Sequence, residues 1–201
     1  MNEIKLRGYI RDIKPSHSIN DIEYDKANLI VPRDNGIEDV INLRFKRFSN
    51  IYKENQEIEF VGNVRSYSQH IDNNKNKVDI YVFTYFDKPS DEVADNNDFI
   101  VDGRICKLDK IRSVKNGKKN IHFILANNLE FGNSGQKLNS YLPCIAWGKV
   151  AKQVEKMHVN DKIKLHGKLQ SREYKKYYSD TEFDIKVAHE IYVDSIEFIN
   201  D

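Results

Sequence analysis

The sequence predicts an all-β protein of two tandem five-stranded barrels, each with a short helix between its third and fourth strands. Three observations predict it. Ile58-Glu-Phe-Val-Gly-Asn-Val-Arg-Ser66 matches Ile163-Lys-Leu-His-Gly-Lys-Leu-Gln-Ser171 position by position. Ile4-Lys-Leu-Arg-Gly-Tyr-Ile-Arg-Asp-Ile13 and Ile100-Val-Asp-Gly-Arg-Ile-Cys106 share apolar alternation around a glycine. Gly8 and Gly103 lie 95 residues apart, and Gly62 and Gly167 lie 105 apart, so one pattern recurs with slack in its loops. That is the mark of a duplicated domain.

The elements follow from the alternation. Strands are expected at 3–13, 25–32, 39–46, 56–68 and 78–86, with a helix near 47–54. In the second copy they are expected at 98–112, 120–127, 140–147, 161–172 and 182–193, with a helix near 149–157. The apolar stretch Ile191 to Ile199 extends or follows the last strand. Five strands with one helix between the third and fourth is the order of an OB-fold barrel. Glycine inside the first and fourth strands suits the sharp coiling of a small barrel. Asp87-Lys-Pro-Ser-Asp-Glu-Val-Ala-Asp-Asn-Asn97 is polar and carries a proline, as a linker does. The domains are thus 1–89 and 98–201, joined by 90–97.

Composition narrows the function. Charged residues make up 31% of the 201 and hydrophobic ones 39%, which suits a soluble globular chain. No apolar run approaches the ~20 residues of a bilayer span, and the start lacks a signal peptide's apolar stretch. No membrane association is expected, and the default location is the cytoplasm. Cys106 and Cys144 show no CxxC spacing and the six histidines form no ligand pair, so neither metal nor cofactor is expected. Asp180, Glu182 and Asp184 alternate on one strand face, but nothing supplies the other half of a hydrolytic site. No phosphate loop or nucleophile motif occurs, so the chain is not expected to be an enzyme. The net charge of +1 hides an asymmetry. Residues 1–95 carry 14 basic against 17 acidic side chains, a balance of −3; residues 96–201 carry 18 against 14, a balance of +4. The second half is the better candidate for a polyanion.

Two segments there carry chemistry. Ser140-Tyr-Leu-Pro-Cys-Ile-Ala-Trp-Gly-Lys149 and His166-Gly-Lys-Leu-Gln-Ser-Arg-Glu-Tyr174 are strands ending in aromatic and basic residues. An aromatic gives a nucleobase a flat face and a cation beside it takes a phosphate, the means of holding single strands without sequence preference. On these residues alone, the more ordinary reading of Tyr141 and Trp147 is barrel core. Arg112, Lys115, Lys118 and Lys119 surround Asn116-Gly117, a hairpin turn that tracks phosphates or is simply solvated. Lys175, Lys176, Tyr177 and Tyr178 make a poor core, since successive strand side chains point to opposite faces; they read as a nucleic-acid finger.

Residues 98–193 resemble the bacterial single-stranded DNA-binding proteins. The matching residues are Gly103; Phe123-Ile-Leu-Ala126; Phe131; Tyr141; Trp147-Gly148-Lys149; and Gly167-Lys-Leu-Gln-Ser-Arg-Glu-Tyr174. The resemblance implies that Phe131, Tyr141, Trp147 and Tyr174 stack on bases, with Lys149 and Arg172 beside them. Residues 1–89 look like a diverged copy, with Phe45 in the place of Trp147, Asp39 in that of Tyr141, Tyr67 in that of Arg172 and Gln69 in that of Tyr174. With that set incomplete, the first copy is expected to bind weakly or not at all. The whole is similar to the tandem-OB form found in low-GC Gram-positive bacteria.

The implied role is to coat unwound DNA in replication, recombination or repair, on the nucleoid, as a homodimer that gathers four barrels. Replication or repair proteins are candidate partners. Family members carry a Gly/Pro/Gln-rich tail with an acidic tip that recruits such enzymes; this sequence ends Ser195-Ile-Glu-Phe-Ile-Asn-Asp201 instead. The alternative is a primosomal or phage/plasmid replication accessory protein that offers an OB face to a protein, and an RNA-binding OB module is a third class.

Overall fold

β1 (Asn2–Ile19) shows how alternation becomes a barrel wall: Ile4, Leu6, Gly8 and Ile10 are buried, and the side chains between them face out. The computed structural model describes residues 1–47, 52–71, 75–84, 96–114, 117–131, 136–179 and 182–199. β2 (Ile22–Pro32), β3 (Glu38–Lys46), β4 (Glu57–Ile71) and β5 (Lys75–Thr84) complete the first barrel. Pairing runs β1–β2, β2–β3, β3–β5, β5–β4 and β4–β1, so the ring closes, and only β3–β5 is parallel. The second barrel comprises β6 (Asn97–Leu108), β7 (Arg112–Ser113), β8 (Lys119–Phe131), β9 (Gln136–Trp147), β10 (Lys162–Tyr177) and β11 (Phe183–Phe198). It closes in the same order, β6–β8–β9–β11–β10–β6, with β9–β11 parallel; β7 only lengthens the hairpin to β8.

The helix α1 (Gly148–Val154) follows β9 and buries Ala151 and Val154. The helix expected at 47–54 has residues 48–51 outside the described ones; residues 47 and 52–54 are not helical. Most of the expected linker also lies outside the described residues, but Asn97 already belongs to β6 and is buried. Interiors are filled by Leu6, Leu29, Leu43 and Val82 in one barrel and by Phe99, Leu125, Leu142 and Ile163 in the other.

The glycines have a steric cause. A Cβ on Gly8 would lie 2.2 Å from the carbonyl oxygen of Ile30, and one on Gly103 2.4 Å from that of Ala126. The obstacle is backbone of the neighbouring strand, which cannot step aside without opening the ring. Gly103→Ala is expected to cost about 1–2 kcal/mol, within the range for overpacking. Urea unfolding checks this, and an unchanged midpoint would refute it.

The barrels join edge to edge. β1 pairs antiparallel with β6, from Asn2↔Val101 to Leu6↔Asn97, making one eleven-stranded sheet. The hydrogen bonds around the junction come in matched pairs. The Asn2 side chain bonds both backbone groups of Val64 (2.8 and 2.9 Å), and Asn97 does the same to Leu169 (2.6 and 3.0 Å). The Tyr141 N–H donates to Ser66 Oγ at 2.7 Å, and the Val40 N–H to Ser171 Oγ at 2.8 Å. The duplication has produced a two-fold-like pair inside one chain.

This pairing corrects two equivalences read from the sequence. Ile30 faces Val40 as Ala126 faces Tyr141, and Tyr24 faces Lys46 as Asn120 faces Trp147. Val40, not Asp39, therefore stands in the place of Tyr141, and Lys46, not Phe45, in that of Trp147. A slip of one residue exchanges the two faces of a strand. Phe45 accordingly points inward, 3% exposed, edge-on to Tyr52 at 4.9 Å.

Candidate nucleic-acid interface

Trp147 is the last residue of β9 and lies half-buried on the outer face of the second barrel. It stands at the edge of a groove of about 1200 Å³. On the second barrel the groove is lined by Lys118 and His122 of the β7–β8 hairpin, by Ile145 and Trp147 of β9, and by Arg172 and Tyr192 of the β10–β11 pair. Its opposite wall comes from the first barrel: Arg33, Ile37, Glu38 and Val40. Neither barrel makes the groove alone.

The wall from the first barrel is fastened by a buried carboxylate. Asp39 is 1% exposed and accepts from Arg33 Nε at 2.7 Å and from the Ser171 N–H. Arg33 also donates to the Ser171 carbonyl at 3.0 Å. His189 Nε2 donates to the Val40 carbonyl at 2.7 Å, and burial pushes its pKa down, so it sits there neutral. The wall is thus a structural clamp with one basic edge.

Beyond the groove, β10 and β11 run out as an arm paired to Tyr177↔Phe183. Arg172, Tyr174 and Lys176 face one side, and Lys175 and Tyr177 the other, so the run Arg172–Tyr177 is split across the arm. Its aromatics are open: Tyr174 is 40% exposed and Tyr177 59%. Lys175 Nζ lies 4.3 Å from the Phe183 ring centre, and Lys176 Nζ 5.5 Å from that of Tyr178. Arg172 is 3.3 Å from Glu190, which offsets part of its charge. Asp184 bonds Lys186 at 2.9 Å and Tyr178 at 3.0 Å, and these hold it below the usual carboxylate range. It and Glu182 belong to the arm, while Asp180 lies outside the described residues.

The other predicted residues scatter around this centre. Lys149 is exposed in α1 just past Trp147. Arg112 and Lys119 lie on the β7–β8 hairpin beside Lys118, with Arg112 3.8 Å from Asp109; Lys115 lies outside the described residues. Tyr141 is 50% exposed on the same face of β9 as Trp147, six residues and about 20 Å away. Phe131 ends β8, paired with Gln136. Sequence reasoning missed His122, Ile145 and Tyr192, although outward alternation on their strands could have found them. It also missed the wall from the first barrel, for which no local signal exists.

Among the described residues no cluster of three His, Cys, Asp or Glu side chains could hold a metal, and no helix is long and apolar enough to cross a membrane. Both cysteines are free; Cys144 is buried, and that burial pushes its thiol up, away from nucleophile character, while Cys106 is exposed.

Comparison with known proteins agrees with this arrangement. The wild-type single-stranded DNA binding protein of Thermus aquaticus matches with a TM-score of 0.74 at 14% identity, covering 100% of this chain and 94% of that one. A deletion variant of the same Thermus protein matches at 0.73 and 15%, covering 100% and 95%. At such identities the likeness is one of fold. No curated protein matches in sequence. The model of the single-strand binding protein family matches residues 96–199, just over half of the chain and all of the second barrel. With that match laid over the groove, the chain belongs to the single-strand binding protein family, whose members bind single-stranded DNA and are not enzymes.

Proposed function

We propose that the chain coats unwound single-stranded DNA during replication, recombination or repair. Bases stack on Trp147 and Tyr174, with Tyr141 and Phe131 extending the path, while Lys and Arg side chains displace counterions from the phosphates. The observation that carries the reading is the groove itself: an open slot with Trp147 at its edge, Lys118 and Arg172 on its sides and the basic, tyrosine-bearing arm leading out of it. The 98–201 domain supplies most of the contacts. Two copies bring four barrels together, and such a homodimer works in the cytoplasm, on the nucleoid, alongside replication or repair proteins.

The test is a tryptophan-fluorescence titration, since Trp147 is the only Trp. Poly(dT), poly(U) and duplex DNA are compared at several salt concentrations. Poly(dT) is expected to quench the emission, and log K should fall with log[salt] by about 0.7 per phosphate neutralised on a single strand. With some of Lys118, Lys119, Lys149, Arg172, Lys175 and Lys176 engaged, a slope of about −2 to −4 is expected. Duplex should bind far more weakly because its bases are stacked on each other. Equal affinity for duplex, or salt-insensitive binding, rules out stacking. No affinity for any oligonucleotide would leave the replication-accessory role. Sedimentation as a monomer would sink the dimer.

A further inference from the structure

The floor of the groove holds a polar side chain whose oxygen has nothing to bond. Asn120 is the second residue of β8 and is paired with Arg112 of β7 on one side and Trp147 of β9 on the other. Alternation along β8 puts Ile121 and Phe123 in the core, so Asn120 and His122 line the groove. Asn120 is nevertheless only 7% exposed. Its Oδ1 is closed off from solvent and has no hydrogen-bond partner among the described residues. A buried acceptor left unpaired is costly, and folded chains carry few of them.

The charges around the groove decide which part of a strand belongs in it. Arg33, Lys118 and Arg172 line it, and so do Glu38, Glu173 and Glu190, three cations against three carboxylates. Arg33 is committed to Asp39, and Arg172 lies 3.3 Å from Glu190. A channel for phosphates would be positive. The floor is instead Ile145, Trp147 and Tyr192, with Asn120, His122 and Gln170 as hydrogen-bonding side chains. Bases fit this floor, and phosphates fit the exposed Lys149 and the lysines of the arm outside it.

Trp147 and Asn120 are placed to meet one base. They are direct cross-strand neighbours on one face of the β8–β9 pair, a relation that sets Cβ atoms about 4.5–5.5 Å apart. A base laid on the indole brings its edge to the amide. Unstacked bases are recognised on their Watson–Crick edges by side chains of this kind. Stacking accepts any base, since each has a flat face. An acceptor at the edge demands an N–H there.

We infer that Asn120 is a base-selecting residue of the groove: its Oδ1 accepts an N–H from the Watson–Crick edge of the base stacked on Trp147. This rests on the groove binding single strands, and it adds selection to a stack that has none.

The test uses the full chain and two thymine oligonucleotides of about 20 residues, long enough for both barrels at about 4–16 nucleotides per OB fold. One is methylated at N3 of every base, which removes the thymine N–H and leaves ring and phosphates in place. Both are titrated against the parent and against Asn120→Leu. Leucine has nearly the shape of asparagine and needs no partner, so this variant should melt no lower than the parent; Asn120→Ala carries the same comparison if leucine lowers the melt. Methylation should weaken binding to the parent by a factor about 3 to 10 larger than for the variant, the worth of one hydrogen bond. The plain strand should still quench Trp147 in the variant. Equal factors for parent and variant overturn the proposal and leave the stack intact. A methylated strand that binds the parent as tightly as the plain one overturns it as well. A parent that binds neither strand ends the groove reading itself, and this inference with it.

Discussion

Asp39→Ala is expected to cost the protein about 2–4 kcal/mol of stability, the largest loss of any single change considered. The carboxylate is 1% exposed and accepts from Arg33 Nε at 2.7 Å and from the Ser171 N–H. Deleting it leaves a guanidinium without its anion and a backbone N–H without its acceptor. Breaking a fully buried pair costs about 3–5 kcal/mol; Arg33 keeps 23% exposure, and water reaching it lowers the figure. Asp39→Asn retains the shape and one acceptor oxygen, so it should lose less. Because Ser171 is in the second barrel and Asp39 in the first, the damage falls on the junction. Affinity for poly(dT) should drop with stability, since the groove wall of Arg33 to Val40 hangs on the same bonds. Urea melts decide the matter: a loss below about 0.5 kcal/mol, the range of an ordinary surface change, would show that the clamp carries nothing.

Trp147→Ala is expected to weaken single-strand binding by about 1–3 kcal/mol, roughly 5- to 150-fold, the worth of one base–aromatic stack. The residue is half-buried, on an outward position of β9, with the groove open beside it. Its neighbour Ala146 is buried and carries the core packing at this end of the strand, so the truncation should leave the fold intact. Circular dichroism checks the fold and filter binding at low salt checks the affinity, since the variant has no tryptophan left to report. Parental affinity with an intact fold would make Trp147 a packing residue and remove the centre of the proposed path.

What the sequence alone determined was everything that repeats at short range. Period-2 alternation around Gly8, Gly62, Gly103 and Gly167 marked the barrel strands and the duplication, and Trp147, Tyr174 and Arg172 were readable from their strand-end motifs. Alternation also failed where its physical cause is missing. β1 runs to Ile19 and β2 begins at Ile22, well beyond the expected bounds, because this hairpin arm is exposed on both faces and buries no stripe. Its turn is set by Asn20 and Asp21, at φ 48° and 62°, a pair suited to a two-residue hairpin loop. Register lies further from reach. Phe45 and Lys46 are adjacent, and either could match Trp147 by eye; only the strand pairs settle that Phe45 faces the core. Most of all, the groove is a property of two barrels at once. Arg33 and Arg172 are brought to one slot by β1–β6 pairing and by the Asp39–Ser171 bond. A contact between residues 132 positions apart leaves no trace in the local pattern of either, so only the tertiary structure could decide it.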